Sequence, residues 1–322
     1  MLTRRTLFTG LVALGLFPRC SRAQHARPHT IPLLPADVAP KPIAAWGVRR
    51  LRHKYTGPLC RVRRDNDNAE QDIFAAAYTL DTVRLLAFTG SNNGYVVKLY
   101  DQLGNSANDA VQATSGAQPR LVNAGTVETH SGLAGDGAVP ACRFDGSDDI
   151  LGCGNLTAVD GIAQLSIMVW GSVISLCDRF WIGKFTSGQH DGLYLNPETG
   201  CGGFFDVDDG ANFAYYAGLS QLIAAGERRM VGMVFDGNES GNASRLKIYG
   251  NAIPTTLMQQ DTGGTYSGTI PATTDTSTRP WELGSNSSLP RFGRGKLDAV
   301  VLSKSALSQS QMFLMAYGTT PR

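Results

Sequence analysis

Carboxyl groups and aromatic rings are the side chains whose types and spacing could do chemistry in this sequence. The segment Asp206-Val207-Asp208-Asp209 places three carboxyl groups within four residues. Such a cluster at a turn either caps its own backbone or supplies the oxygen ligands that Ca²⁺ prefers. The following aromatic residues could offer stacking surfaces to a ligand: Trp170, Trp181, Tyr194, Phe213, Tyr215 and Tyr216.

The spacing of the aromatic residues indicates which of their rings face the core. Tyr215 and Tyr216 are adjacent, so on a strand their rings point to opposite faces. Trp170 ends the cleanly alternating segment Leu165-Ser166-Ile167-Met168-Val169-Trp170, which predicts a strand with one buried face. We therefore expect Trp170 to lie in the core.

The cysteines and histidines give no sign of a metal centre. No Cys-x-x-Cys pair occurs and the five histidines are scattered, so we expect no zinc site and no cofactor, with a structural calcium as the one open possibility. Cys142 and Cys153 bracket a short apparent hairpin and could form a disulfide if their strands are adjacent.

The N-terminus indicates an export signal over residues 1–23. Arg4 and Arg5 precede an apolar run of 11 residues, Leu7 to Phe17, about half of what a membrane-spanning helix needs. A twin arginine before such a run favours a bacterial Tat signal, and an ordinary Sec signal is the alternative. We expect an exported protein, periplasmic or extracellular, with no membrane span.

Charge is distributed unevenly along the chain. The net charge is +2 overall, yet residues 65–322 hold 16 basic against 26 acidic residues. A nucleic-acid surface spread over the whole chain is excluded on that ground. The acids are 21 Asp and only 6 Glu, a balance that argues against a helical bundle, because Asp competes with the helix backbone.

Turn chemistry and alternating apolar residues predict an all-β fold. Residues 24–44 contain five prolines and are expected to form a linker, and residues 45–51 have helical spacing. From about residue 126, short strands alternate with turns rich in Asp and Gly, as in a sandwich. Helices are predicted near Leu80–Phe88 and Ser308–Tyr317.

Four segments of the second half resemble, in order, the strands of concanavalin A-like, laminin-G-like jelly rolls. They are Arg143-Phe144-Asp145-Gly146-Ser147-Asp148-Asp149, Met230 to Gly237, Leu246-Lys247-Ile248-Tyr249-Gly250, and Gly295 to Leu302 with Ala306-Leu307-Ser308. The resemblance implies a jelly-roll sandwich of two antiparallel sheets, with short helices near both ends.

The first half is similar to the start of the catalytic domain of the α-L-arabinofuranosidase B family, glycoside hydrolase family 54. The likeness lies in Val48-Arg49-Arg50-Leu51, Tyr55-Thr56-Gly57-Pro58-Leu59, Arg61-Val62-Arg63-Arg64 and Leu99 to Asn105. It implies one domain over residues 45–318 that acts on arabinose-containing polysaccharide.

The family resemblance also implies site residues. The nucleophile position of a retaining glycosidase falls on Asp208, one methylene shorter than the family's Glu. The family's acid/base loop reads Leu283-Gly284-Ser285-Asn286-Ser287-Ser288 and carries no carboxyl group, which leaves Glu282 or Asp298 as candidates. The alternative is a glycan-binding jelly roll without turnover, whose binding residues would be Trp181, Tyr215, Tyr216 and Asn286. A third possibility is a structural module of an envelope or phage-like assembly.

Overall fold

The computed structural model describes residues 32–131, 138–173, 181–186, 189–196, 202–209, 213–217, 226–251, 258–286 and 291–317. Within these residues the strands are β1 (Pro42–Gly47), β2 (Cys60–Arg64), β3 (Glu70–Ile73), β4 (Ala75–Ala76), β5 (Thr79–Leu80), β6 (Gly94–Leu99), β7 (Ala110–Val111), β8 (Arg120–Asn123), β9 (Thr126–Val127), β10 (Thr129–Ser131), β11 (Ala138–Pro140), β12 (Cys142–Asp145), β13 (Leu151–Gly152), β14 (Gln164–Val173), β15 (Trp181–Thr186), β16 (Gln189–Asn196), β17 (Gly202–Asp208), β18 (Phe213–Ala217), β19 (Arg229–Asp236), β20 (Leu246–Asn251), β21 (Met258–Gln260), β22 (Thr265–Ser267), β23 (Glu282–Leu283), β24 (Ser285–Asn286), β25 (Arg291–Phe292) and β26 (Arg294–Ser303). The α-helices are α1 (Pro35–Val38), α2 (Thr82–Thr89), α3 (Asn242–Arg245) and α4 (Gln309–Tyr317), with 3-10 turns at Ser106–Asn108, Ser115–Ala117 and Thr157–Val159.

The strands form two layers of antiparallel sheet. The first layer runs β1–β26–β14–β19–β20–β21, with β12 extending the line of β1 along β26. The second runs β7–β13–β23–β15–β16–β17–β18–β22. The early strands join them, because β6 pairs with β2, β7 and β8, and β8 pairs with β12. The predicted all-β sandwich is confirmed.

The main core lies between the two layers. Alternate residues of the first layer, such as Ile167, Met233 and Val300, meet Ile182 and Val207 of the second in one buried cluster. Burying a side chain of this size contributes about 1.5–3 kcal/mol, so this contact between the layers stabilises the fold substantially.

The outer face of the first layer is covered by helices. Met312 and Met315 of α4 pack with Met168 of β14 in a second buried cluster. The helix approaches closely because β19 carries Gly232 there, where an added Cβ would lie 2.0 Å from the Met312 Cε atom. As the sequence predicts, Ser308 precedes this helix, and its Oγ atom accepts a hydrogen bond from the Gln311 N–H at 3.3 Å.

The fold begins earlier than the sequence predicts. The predicted linker over 24–44 ends before residue 44, because Leu34 and Ala36 are buried and β1 starts at Pro42. Residues 45–51 do not form the predicted helix. Residues 42–47 form β1 instead. Both faces of this strand are buried, with Trp46 in the main core and Ala45 in the second cluster. Its apolar residues therefore lack the alternation by which a half-exposed strand is recognised in a sequence.

The expected pairing of Cys142 with Cys153 does not occur. Cys60, Cys142 and Cys153 are free and buried. Strand β12 lies between β26 and β8, whereas β13 lies between β23 and β7, so the condition of adjacent strands is not met. Cys177 and Cys201 lie outside the described residues.

Candidate functional site

Two aspartates project from the outer face of the second layer. On β17 the side chain of Val207 enters the main core, so strand alternation turns Asp206 and Asp208 to the opposite face. Their exposed fractions are 0% and 1%. Residues two apart on one face of a strand lie about 7 Å apart at Cα, so β17 presents a pair of close, buried carboxyl groups.

A row of directly opposed residues crosses the second layer at Asp206. Asp206 opposes Gly192 of β16, which opposes Gly183 of β15, which opposes Glu282 of β23. Opposed residues of antiparallel strands share a face, so Glu282 lies on the same face as Asp206. Three strand spacings separate their Cα atoms, about 14 Å.

The two middle positions of this row have no side chains. This row therefore contributes no side chain between Asp206 and Glu282, and these two glycine positions are called the glycine gap. Sequence reasoning missed Gly183 and Gly192, because only the strand register shows that they stand opposite each other.

Tyr215 continues the row on the other side of Asp206. It opposes Asp206 on β18 and is partly exposed, so its ring stands beside the carboxyl pair. Tyr216 points the other way, as the sequence predicts for adjacent strand residues. Its ring is in the main core, and its hydroxyl accepts a hydrogen bond from Gly264 N–H and donates one to the Asp261 carbonyl. The proposed binding role of Tyr216 therefore does not fit the structure.

Two further sequence candidates can be placed only by their strands. Trp181 lies two residues before Gly183 on β15, and alternation gives both positions the same face. Asn286 ends β24, which pairs with β25. The side chains of Trp181 and Asn286 lie outside the described part of the structure.

Asp298 lies elsewhere, at a β-bulge of the first layer. Trp170 opposes Ala299 while Gly171 opposes Leu297, so Asp298 is the extra residue on β26. A bulge re-aims the side chain of its extra residue. Here it brings the carboxylate into a fully buried ionic network, away from the carboxyl groups of β17.

Two guanidinium groups hold the Asp298 carboxylate. Arg228 donates through Nε and Nη2 at 2.9 and 2.8 Å, and Arg49 donates through Nε at 2.8 Å. His130 Nε2 lies 3.0 Å from Oδ1. Burial alone would raise the pKa of Asp298, but the charge and hydrogen bonds of Arg228, with His130 and Arg49, hold that pKa well below its usual range.

A carboxyl group with so low a pKa has no proton to give at neutral pH, so Asp298 does not fit the acid/base role. Its geometry fits an anchor that joins four segments of the chain. The sequence shows Arg49, Arg228 and His130 only as separate residues, since contacts over such separations depend on the fold.

One other acidic cluster could hold a cation. Carboxylate oxygens of Asp145, Asp148 and Asp149 lie within 4.8 Å of one another. The cluster also caps its own turn, because Asp149 accepts from Asp145 N–H and Asp145 accepts from Ser147 N–H. Burial, followed by the charge of Asp145, raises the pKa of Asp149 to about 7. A calcium ion at Asp206, Asp208 and Asp209 stays a prediction.

The fold resembles that of solved arabinofuranosidases. A family 54 α-L-arabinofuranosidase soaked with a cyclic sulfate inhibitor superposes with a TM-score of 0.66 at 16% identity. An arabinofuranosidase complexed with arabinofuranosyl-α-1,2-xylobiose gives 0.65 at 14%, and a Glu-to-Gln variant soaked with 4-nitrophenyl α-L-arabinofuranoside gives 0.65 at 17%.

Each comparison covers 89% of this chain and 64% of the solved chain, so this chain spans somewhat less than two thirds of their length. No protein-family model matches the sequence, and no curated protein matches it. At these identities the likeness shows the fold: a β-sandwich of the kind found in family 54 glycoside hydrolases. Among the described residues, no helix is long and apolar enough to cross a bilayer.

Proposed function

We propose that the protein is a glycoside hydrolase that releases α-L-arabinofuranosyl groups from arabinose-containing polysaccharide. The observation that carries the proposal is the register that aligns Asp206 with the glycine gap and Glu282, with Asp208 two residues further along the same face of β17. The fold likeness to arabinofuranosidases supports the substrate class.

In this proposal Asp208 is the nucleophile. Its carboxylate attacks the anomeric carbon, the bond to the leaving oxygen breaks, and a covalent glycosyl-aspartate forms. Glu282 protonates the leaving oxygen from across the glycine gap and then takes a proton from the water that hydrolyses the intermediate. Asp206, on the same face, positions the sugar, and Tyr215 offers it an aromatic edge.

The test is turnover of an aryl α-L-arabinofuranoside. The wild-type protein releases the aryl group, and Asp208→Asn lowers kcat by a factor of about 10³ or more, because the amide is a poor nucleophile. The matched control is Asp236→Asn, since Asp236 also ends a strand at a turn and caps it through Asn238 N–H. Full activity of Asp208→Asn would rule out the proposed nucleophile.

A second test concerns Glu282. Glu282→Gln slows the release of poor leaving groups more than that of activated aryl groups, because only the former need a proton. Azide restores turnover of the activated substrate by attacking the glycosyl-enzyme. An equal loss on both substrates, with no azide rescue, excludes Glu282 as the acid/base.

A glycan-binding protein without turnover is the second candidate. It is favoured by the loop Ser285-Asn286, which carries no carboxyl group, and by the ionic network that occupies Asp298. Retention on an arabinan or xylan column without release of the aryl group would establish this candidate and exclude the first.

We also propose export through a Tat signal in a bacterium, on the evidence of Arg4 and Arg5. Replacement of both arginines by lysine keeps the charge and should leave the protein in the cytoplasm. Unchanged export of that variant would favour the Sec route.

A further inference from the structure

A groove of about 450 Å³ lies at the start of β1 and the end of β26, apart from the carboxyl groups of β17. It is lined by Lys41, Pro42, Ile43, Asn105, Ala107, Asn108, Asn155, Leu156, Thr157, Ala158 and Lys304. These residues come from four separate segments that the sandwich brings together. Its volume suits one or two sugar rings.

The charge in this groove has one sign. Lys41 and Lys304 supply two ammonium groups, and no carboxylate is among the residues that line it. Both lysines are exposed, and neither makes an ion pair with a described residue of the structure. Asparagine amides and a threonine hydroxyl supply neutral hydrogen-bonding groups beside them, and Pro42, Ile43 and Leu156 supply apolar surface.

The backbone at Lys41 is strained. Its φ is +45°, in the left-handed region that favours glycine, yet the residue is a lysine. The conformation is held because the Lys41 carbonyl accepts a hydrogen bond from the Lys304 N–H at 3.0 Å, while the Pro40 carbonyl accepts one from the Ser303 hydroxyl. Backbone strain of this kind is concentrated at ligand sites. Here the hydrogen bond that holds the strained backbone also joins the main chains of the two lysines.

We propose that this groove binds a uronate residue of an acidic polysaccharide. The two ammonium groups suit the carboxylate, the amides and the hydroxyl suit sugar hydroxyl groups, and the apolar residues suit the face of the ring. The site goes beyond the proposed hydrolysis and does not use Asp208. It would hold the chain on an acidic glycan, whatever reaction occurs at β17.

The experiment is calorimetric titration of the full chain with trigalacturonate, with neutral arabinotriose and with inorganic phosphate. Trigalacturonate should bind, more weakly at higher salt, and the other two should not compete with it at equal concentration. In Lys41→Gly/Lys304→Ala the affinity should fall at least tenfold, since glycine removes the charge and keeps the left-handed backbone.

The control is Lys54→Ala/Lys247→Ala, which removes the same charge at residues that do not line the groove. It should bind trigalacturonate as the wild type does. The proposal is overturned if the wild type does not bind, if both lysine pairs weaken binding equally, or if phosphate displaces the sugar. Aryl arabinofuranoside turnover, measured in parallel, should be the same in both double variants and the wild type, so the two proposals can fail separately.

Discussion

Glu282 and Asp206 share one row across the second layer of the sandwich, separated by two glycines, Gly183 and Gly192. The row places two carboxyl groups on the same face, and its two middle residues contribute no side chain between them. The proposed function depends on the glycine gap as much as on the carboxyl groups.

Filling the gap should impair substrate binding. In Gly192→Ala a methyl group enters the space between Asp206 and Glu282, and we expect KM for the aryl arabinofuranoside to rise about tenfold, as a misplaced substrate is costly. The control is Gly152→Ala, in the same row beyond Glu282, where an added Cβ meets only the Val111 carbonyl at 3.7 Å. Equal kinetics in the two variants would show that the substrate does not use the gap.

The two neighbouring tyrosines should respond in opposite ways to truncation. Tyr215→Ala should weaken arabinan binding several-fold with little loss of stability, because Tyr215 stands on the outer face. Tyr216→Ala should cost about 3–5 kcal/mol of unfolding free energy, the usual penalty for a buried aromatic side chain. Urea denaturation measures the loss of stability, and affinity electrophoresis measures the loss of glycan binding. A Tyr216→Ala variant that keeps its stability and loses only glycan binding would contradict the placement of Tyr216 in the core.

Neutralising Asp298 should destabilise the fold. Asp298→Asn leaves the buried guanidinium groups of Arg49 and Arg228 without their anion, a change that typically costs about 3–5 kcal/mol. For comparison, Asp72→Asn breaks a partly exposed pair with Arg61 and should cost about 1 kcal/mol or less. A stable, inactive Asp298→Asn would instead indicate a direct role in the reaction.

Asp149 should make the unfolding free energy of the protein fall as the pH rises. Burial, followed by the charge of Asp145, raises its pKa from the ordinary value of 3.8 to about 7, so the folded state binds the proton more tightly than the unfolded state does. The contribution of Asp149 to the free energy of unfolding is therefore fully present below about pH 4 and is lost as the pH rises to 7. In Asp149→Asn this loss should disappear, so between pH 4 and pH 7 the stability of the variant should rise relative to that of the wild type, as measured by urea denaturation. If the unfolding free energy changed equally with pH in both proteins, the raised pKa of Asp149 would be refuted.

The sequence predicts the sandwich and part of the site for identifiable reasons. Alternation at Tyr215-Tyr216 decides which of the two rings faces out, and this depends only on neighbouring residues. Glu282 and Gly192 are far apart in the chain, and only the register of two strand pairs aligns them. The anchoring role of Asp298 depends on a bulge and on distant arginines, neither of which leaves a local pattern.

The most direct test of the central claim is covalent labelling of the nucleophile. The protein is incubated with an arabinofuranose-configured cyclic sulfate, and intact and peptide masses are measured. If Asp208 is the nucleophile, the wild type carries one label per chain, on the peptide that contains Asp208. Asp208→Asn carries none, while Asp236→Asn is labelled as the wild type is. Labelling of Asp208→Asn to the same extent, or no labelling of the wild type, would contradict it.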